Sequence, residues 1–337
     1  MTPERFQSIT GRFADLKIAV VGDFCLDRYL EIDPTKKETS IETRLPVHNV
    51  TRIRSQPGAA GTVLNNLVAL GVGELFVIGF AGIDGEGFEL RRALESLPGV
   101  RLDFFISTPA RRTFTYTKPL VVEPGKAPIE LNRLDLKNWS PTPAEVTRRL
   151  IAGMEALAGK VDAFIVMDQV DIIDTGVITS ELLAAIRPIA SAHPRLRILA
   201  DGRRGLGNFP PLIFKMNQVE LDKFFPGGSD LEEIQSRALQ LARKNGREIF
   251  VTLAEQGIVG AAPSGDVYHE PALPVRGAID IVGAGDSVTA NLTTALAAGG
   301  SLEEAISLAN AAASIVIHQL GATGTASVAQ IRERLFK

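Results

Sequence analysis

Residues 280–286, which read DIVGAGD, combine three positions of minimal side-chain bulk with a carboxylate. Gly283, Ala284 and Gly285 precede SVTANLTTALAAGG, whose small and apolar residues predict a buried helix. Backbone N–H groups at the start of that helix can approach a phosphate and face its charge. Asp286 would lie in the first turn and could accept a proton from an attacking hydroxyl. The alternative is a tight loop with an acidic N-terminal helix residue, which the helix dipole favours anyway.

A second pair of candidate residues, Asn217 and Glu220, follows a predicted strand and precedes a predicted helix. An amide and a carboxylate at this spacing can order magnesium-bound water near phosphates. The alternative is a helix cap with a capping-box glutamate.

Two carboxylates follow the first predicted strand, in GDFCLD at residues 22–27. Asp27 could hold sugar hydroxyls, because an ionised carboxylate accepts two hydrogen bonds in a polar pocket. A turn aspartate is the alternative. The loop GIDGEG at residues 82–87 is predicted to be structural.

Apolar strands must position these residues. LKIAVVGDF at residues 16–24 is typical of a strand buried on both faces. From about residue 143 onward, apolar strands alternate with amphipathic helices, which predicts a mainly parallel sheet covered on both faces. Ligands in such folds bind beyond the carboxyl ends of the strands. Residues 38–55, with Pro46 among alternating residues, favour exposed edge strands.

The composition of the chain disfavours binding to nucleic acid, to membranes and to zinc. The chain has 337 residues, 45% hydrophobic and 22% charged, with a formal net charge of −3. It lacks the basic field that attracts nucleic acid or anionic lipid, so a small-molecule partner is expected. Cys25 is the single cysteine and the four histidines are scattered, which disfavours a zinc site. The polar N-terminus and the lack of a long apolar run favour a cytoplasmic protein without membrane contact.

Known nucleotide and hydrolase motifs are missing from the sequence. It has no G-x-x-x-x-G-K-[ST] loop and no G-x-G-x-x-G after a strand, which disfavours P-loop kinases and dinucleotide enzymes. It also has no G-x-S-x-G elbow of an α/β-hydrolase.

As a set, these residues resemble the ribokinase (PfkB) family of carbohydrate kinases over residues 16–325. DIVGAGD is similar to that family's C-terminal signature, Asn217 and Glu220 match its Asn-x-x-Glu motif, and Val251-Thr252-Leu253 with Gly257 matches its nucleotide-site segment. The resemblance implies one domain, 1–337, with an α/β fold: a three-layer αβα sandwich with a mainly parallel central sheet and a small β-sheet lid. Lid strands are expected near 38–55 and 102–122.

The resemblance also implies roles. Asp286 would be the base, with Gly283, Ala284 and Gly285 as the anion hole. ATP and Mg²⁺ would be the cofactors, and a monovalent cation is expected near the DIVGAGD loop. Nucleotide contacts are expected from Asn217, Glu220, Thr252, Gly257 and Asn310, with the first two holding magnesium through water. A homodimer through the lid is expected.

Within the family, GDFCLDRY at residues 22–29, Arg133-Leu134-Asp135, and residues 310–325 resemble heptose 7-phosphate kinases. Expected substrate-binding residues are Asp27, Gly58, Ala59, Thr62, Arg133 and Asp168. The sugar side departs from the family pattern: Ala59 replaces the second glycine of a pair and Thr62 an asparagine. Asp171 stands where heptose kinases carry a lysine, and would repel a phosphorylated substrate. Ile281 replaces a threonine.

The sequence thus predicts transfer of the ATP γ-phosphoryl group to a sugar or sugar phosphate hydroxyl. Two alternatives stay open. One is a kinase of the same family acting on a nucleoside or another small alcohol. The other is a degenerate kinase that binds a sugar or nucleotide as a regulator, to which the altered sugar side would point.

Overall fold

The computed structural model describes residues 1–321 and 323–337; Ala322, which falls within the 310–325 match, lies outside the described residues. The α-helices are α1 (Pro3–Thr10), α2 (Ala60–Ala69), α3 (Gly85–Glu95), α4 (Ala144–Leu157), α5 (Ser180–Ala192), α6 (Gln218–Asp222), α7 (Leu231–Asn245), α8 (Ala284–Ala297), α9 (Leu302–Val316) and α10 (Val328–Phe336). The strands are β1 (Lys17–Gly22), β2 (Phe24–Thr39), β3 (Pro46–Ala59), β4 (Glu74–Gly82), β5 (Val100–Arg101), β6 (Phe105–Thr108), β7 (Thr115–Val121), β8 (Ile129–Glu130), β9 (Leu134–Leu136), β10 (Ala163–Asp168), β11 (Arg197–Gly202), β12 (Ile213–Asn217), β13 (Ile249–Thr252), β14 (Ile258–Ala261) and β15 (Val267–Glu270).

The main sheet has the strand order β15-β14-β13-β12-β11-β10-β1-β4-β5, with β6 also paired to β4. Neighbouring strands from β13 through to β4 run parallel, whereas β14 and β15 form an antiparallel edge. Helices cover both faces, because strands with apolar residues on both sides must be buried on both sides. The structure confirms the predicted α/β fold with a mainly parallel sheet and a smaller second sheet.

The two faces of the main sheet carry different residues, because successive strand side chains point to opposite sides. On β10, Met167 packs in the cluster that includes α8 and α9, whereas Val166 packs in the cluster that includes α4 and α5. The alternation places Asp168 on the α5 face. On β11, Leu199 packs with the α8 cluster, so Asp201, two residues later, lies on the α8 face. This difference separates two polar sites described below.

The smaller sheet, called the lid below, has the order β3-β2-β7-β8, with β9 also paired to β7. Two long antiparallel strands, β2 and β3, form most of it. Residues Phe105–Thr108, within the range predicted for the lid, instead pair with β4 and belong to the main sheet. The lid also includes residues 24–37 of β2, which lie outside the predicted lid ranges, because residues 24–26 continue the apolar run of the first predicted strand.

Helix α8 lies in the protein interior. Residues 287–296 are all buried, and threonine hydroxyls such as Thr293 Oγ1 donate to the carbonyl four residues earlier, here Thr289. Small side chains allow close packing against α2 and α9. The start of α8 is therefore held rigidly at the carboxyl edge of the sheet. Among the described helices, none is long and apolar enough to cross a bilayer.

Candidate active site

Asp286 lies in the first turn of α8 and keeps partial contact with solvent. Protein atoms surround its carboxyl closely, and the loss of hydration raises its pKa to about 7. The negative charge of Asp201 adds to the increase, whereas the ammonium of Lys215 opposes it. Asp286 is therefore a carboxyl group whose pKa suits proton transfer near neutral pH.

The backbone before Asp286 forms an anion-binding start to the helix. Gly283 is the N-cap residue with φ 83°, a left-handed conformation that glycine adopts without strain. The N–H of Ala284 donates to the Ile281 carbonyl at 3.2 Å. Within the described residues the N–H groups of Gly285 and Asp286 have no acceptor. These two amides can donate to a phosphate.

A buried lysine completes this site, and the sequence patterns did not single it out. Lys215, on β12, places its Nζ 2.8 Å from Asp201 Oδ2, and Thr289 Oγ1 donates to the same oxygen at 2.8 Å. A Cβ at Gly285 would lie 3.1 Å from Lys215 Nζ, so glycine leaves space for the ammonium beside the anion-binding turn. The available signal was a lysine inside the apolar strand IFKMN.

Asn217 and Glu220 form the capping box that was the alternative interpretation of their spacing. Asn217 Oδ1 accepts from Glu220 N at 2.9 Å, and Glu220 Oε2 accepts from Asn217 N at 2.8 Å. Burial raises the pKa of Glu220. Its second oxygen, Oε1, makes no hydrogen bond within the described residues. The cap thus orients a carboxylate oxygen near Lys215, whose pKa is influenced by the Glu220 charge.

The residues expected on the nucleotide side lie along neighbouring strands. Thr252 pairs in register with Asn217, so both lie at the carboxyl edge of β12 and β13. Gly257 has φ 89°, and a Cβ there would collide with the Glu270 carbonyl, so a glycine is required. Asn310, buried on α9, donates from Nδ2 to the Pro271 carbonyl at 2.6 Å and holds the segment after β15.

The sugar-side residues Asp27 and Gly58 meet where β2 and β3 enter the lid. Asp27 is buried, and burial raises its pKa. A Cβ at Gly58 would collide with the Asp27 carboxylate, so glycine makes room for it. Lys118, from β7, places Nζ 3.5 Å from Asp27 Oδ1 and 3.4 Å from the Tyr29 hydroxyl. Lys118 was not among the predicted residues.

Ala59, which replaces a family glycine, has a strained backbone. It connects β3 to α2 with φ 54° and ψ −118°, where a side chain is unfavourable. Thr62, which replaces the family asparagine, is buried in the first turn of α2. Its carbonyl accepts from Asn66 Nδ2 at 3.0 Å. These two departures from the family pattern thus fall in a tightly packed connection between lid and core.

We expect Ala59→Gly to increase the free energy of unfolding by about 1 kcal/mol, because glycine relieves the positive-φ strain. Urea unfolding measures the change. Ala60→Gly is the matched control, since Ala60 is in α2 and a glycine there should lower stability by about 0.5–1 kcal/mol. An equal loss in both variants would contradict strain at Ala59.

The structure does not bring Arg133 and Asp168 into the same cluster as Asp286. Arg133 is exposed in the lid, pairs with Asp135 at 3.2 Å and lies over the Tyr116 ring at 4.9 Å. Asp168 faces α5 and pairs with Arg204 at 2.6 Å. The position of Asp168 at the end of a predicted strand indicated the correct edge of the sheet. It did not indicate on which face of the sheet the side chain lies.

The region that carries these residues is similar in sequence to a known protein family. Residues 209–329, which contain Lys215, Glu220 and Asp286, match the family described as pfkB family carbohydrate kinase. The chain is 32% identical over 320 residues to the bifunctional protein HldE of Azorhizobium caulinodans and 31% identical over 331 residues to that of Gluconacetobacter diazotrophicus. These alignments cover 94% and 96% of this chain, and 64% of each relative's length.

Solved structures share the fold. The ribokinase of Arabidopsis thaliana, complexed with ribose and ATP, has a TM-score of 0.66 at 20% identity, covering 96% of this chain and 99% of its own. Phosphofructokinase-2 of Escherichia coli, in complex with substrates and products, has a TM-score of 0.72 at 19% identity, covering 95% and 98%.

Proposed function

Because this chain belongs to the pfkB family of carbohydrate kinases, we propose that it transfers the γ-phosphoryl group of ATP to a hydroxyl group of a phosphorylated sugar. A heptose 7-phosphate is the proposed acceptor, as the resemblance at residues 22–29 and 310–325 suggests. The observation that carries the proposal is the position of Asp286. Its carboxyl, with a pKa of about 7, lies beside free amides and the Lys215 ammonium.

In the proposed reaction Asp286 takes the proton of the acceptor hydroxyl. The oxygen attacks the γ-phosphorus, the bond to the bridging oxygen breaks, and ADP leaves. The N–H groups of Gly285 and Asp286 and the ammonium of Lys215 stabilise the negative charge on the transferred group. Lid closure over the acceptor would exclude water and limit ATP hydrolysis.

Magnesium is proposed to accompany ATP, with Glu220 and Asn217 as its protein residues, acting through water. No group of three acidic, histidine or cysteine side chains in the described part of the chain could hold a metal alone. That suits Mg²⁺, which keeps several waters and takes phosphate oxygens as ligands. The free Oε1 of Glu220 fits this role. When bound, Mg²⁺ would neutralise phosphate charge.

The nucleotide is proposed to lie over the carboxyl ends of β12 and β13 and the start of β14, near Thr252 and Gly257. Asn310 supports this region through Pro271. A monovalent cation near residues 280–286 is proposed from the family resemblance, and comparing rates in potassium and in tetramethylammonium chloride tests it.

The acceptor's phosphate is proposed to bind cations of the lid. Lys118 lies beside Asp27, and the charge of Arg133 also lowers the pKa of Asp27. Asp171, expected to repel a phosphate, is paired with Lys137 at 2.8 Å and with Arg203 at 3.6 Å. Two cations therefore offset its charge. The expected repulsion of a phosphate is thereby reduced, and the proposed acceptor has its hydroxyls near Asp27 and its phosphate near Lys118.

We expect Lys118→Ala to raise KM for a phosphorylated sugar at least about tenfold, since a charge-assisted hydrogen bond contributes about 1.5–3 kcal/mol. KM for the corresponding free sugar should rise by a smaller factor, through the loss of the ion pair with Asp27. Steady-state kinetics with both acceptors measures the difference. Lys126→Ala is the matched control, because Lys126 is exposed and pairs with Glu123 alone. Equal changes for both acceptors would argue against phosphate recognition.

ADP release with magnesium-ATP and a panel of free and phosphorylated sugars, including heptose 7-phosphate, tests the proposed function. Turnover of a sugar phosphate in preference to the free sugar supports it. Turnover of a nucleoside or another alcohol alone would assign a different acceptor. ATP binding without turnover of any acceptor would favour the regulator.

A homodimer through the lid is also proposed. The lid exposes apolar side chains, including Ile41, Ile53 and Leu134. Large exposed apolar surfaces commonly mark protein contacts. Sedimentation of the wild type and of Ile53→Glu tests it, with a monomeric wild type as the contrary result.

A further inference from the structure

A cavity of about 470 Å³ lies on the α5 face of the main sheet, between α5, the loop after β11, and α6. Its volume falls within the range of small-molecule sites. Apolar side chains form much of its wall: Ile178, Leu183, Leu206, Phe209 and Phe224. Nothing in the proposed reaction uses this cavity.

A buried carboxylate in the cavity wall has an unused oxygen. Asp168 is 1% exposed; its Oδ2 accepts from Arg204 Nη2 at 2.6 Å, while its Oδ1 has no hydrogen-bond partner. Burial, with the nearby charge of Asp23, raises the pKa of Asp168 to about 7. Buried polar atoms are normally hydrogen-bonded. Oδ1 itself has almost no accessible surface, so Asp168 acts on the cavity through the Arg204 guanidinium that it holds.

Two cations in the wall are also available. Arg187, on α5, and Lys223, after α6, make no ion pair with a carboxylate among the described residues. The other acidic side chain of the wall, Asp174, accepts from Ser180 through both its N–H and its hydroxyl. Lys223 Nζ lies 3.4 Å from the Arg204 carbonyl. Arg187 and Lys223 therefore offer two positive charges to an anion in the cavity.

This cavity is separate from the phosphoryl-transfer site. Asp168 faces α5, whereas Asp201, Lys215 and Asp286 surround the start of α8 on the opposite face. The charges that act on the pKa of Asp168 are Asp23 and Arg204, while those acting on Asp286 are Asp201, Lys215 and Asp27. The two sets share no residue, and the link between the sites is Lys223, whose charge lowers the pKa of Glu220.

We propose that this cavity is a second ligand site, which binds a small hydroxylated phosphate ester. Its phosphate lies against Arg187 and Lys223, its hydroxyl groups lie beside the Arg204 guanidinium held by Asp168, and its carbon skeleton lies on the apolar wall. This site assigns Asp168 to the second ligand rather than to the acceptor sugar.

Titration calorimetry tests the site, with glycerol 3-phosphate, glucose 6-phosphate and inorganic phosphate as probes. The full chain is first saturated with magnesium and a β,γ-imido analogue of ATP, and the measurement is repeated in Asp286→Asn. We expect binding of a phosphate ester in both proteins. The double variant Arg187→Ala, Lys223→Ala should weaken it at least about tenfold.

The matched control is the double variant Arg149→Ala, Lys160→Ala, which removes an exposed arginine and an exposed lysine outside the cavity. It should bind as the wild type does. Three results would overturn the proposal. The first is that no probe binds even at millimolar concentration. The second is an unchanged affinity in the cavity variant, and the third is equal weakening in both double variants. None of these measurements depends on kinase turnover.

Discussion

Replacing Asp286, the proposed base, by asparagine should lower kcat by about 10³-fold, since a positioned general base contributes roughly 10²–10⁴-fold. Asparagine keeps the size and removes the proton acceptor, so binding of the ATP analogue should be retained. Steady-state kinetics and calorimetry measure the two effects. Asp103→Asn is the matched control, because Asp103 is exposed and distant in sequence from every site residue. Unchanged turnover in Asp286→Asn would remove this residue from the mechanism.

The pH dependence provides an independent check on Asp286. To act as the proposed base Asp286 must be ionised, and its folded-state pKa of about 7 lies above the usual value of 3.8. In wild type, kcat/KM should therefore rise with pH and level off above about pH 7. The raised pKa also means that ionised Asp286 costs folding free energy, which appears as the pH rises from about 4 through 7. Asp286→Asn should accordingly melt at a higher temperature than wild type at pH 8.

Replacing Lys215 by methionine should lower kcat/KM by about 10²–10³-fold, the loss typical of removing one charge-stabilising donor. The pKa of Asp286 should rise further, because Lys215 now lowers it, so the pH limb should shift above 7. Asp201 would be left buried without its ion pair, which costs about 3–5 kcal/mol of stability. Rate–pH profiles and denaturant unfolding measure the three effects.

The double variant Lys215→Met, Asp201→Asn separates stability from catalysis. Because it removes the unpaired charge, most of the lost folding free energy should return. Activity should stay low, since no ammonium faces the transferred phosphoryl group. Recovery of wild-type kcat/KM in the double variant would show that Lys215 acts only by neutralising Asp201.

Local patterns identified the elements that carry the candidate site. The glycines before Asp286 need no side-chain space and allow the left-handed turn at Gly283, which short-range sequence can reveal. The spacing of Asn217 and Glu220 likewise encodes a capping box within one helical turn. The strands of the lid were harder to predict from sequence. Phe24–Thr39 begins with the apolar residues of a core strand, and Phe105–Thr108 alternates like an edge strand.

Pairings between distant segments were not visible in the sequence. Lys215 and Asp201 are 14 positions apart, and Lys118 and Asp27 are 91 apart. A charged residue in an apolar strand indicates that a partner exists, because burying an unpaired charge costs too much free energy. It does not identify the partner.

The sequence by itself indicated the α/β class, the resemblance to the carbohydrate kinases and the tight glycine turn before Asp286, because periodicity, motifs and glycine spacing act within a few residues. Only the tertiary structure decided which cations lie beside which carboxylates. It pairs Asp171 with two cations and places Asp168 on the α5 face. The physical reason is that burial and charge depend on side chains brought together by strand order and sheet face. Both are set by packing of the whole chain, so no local pattern contains them.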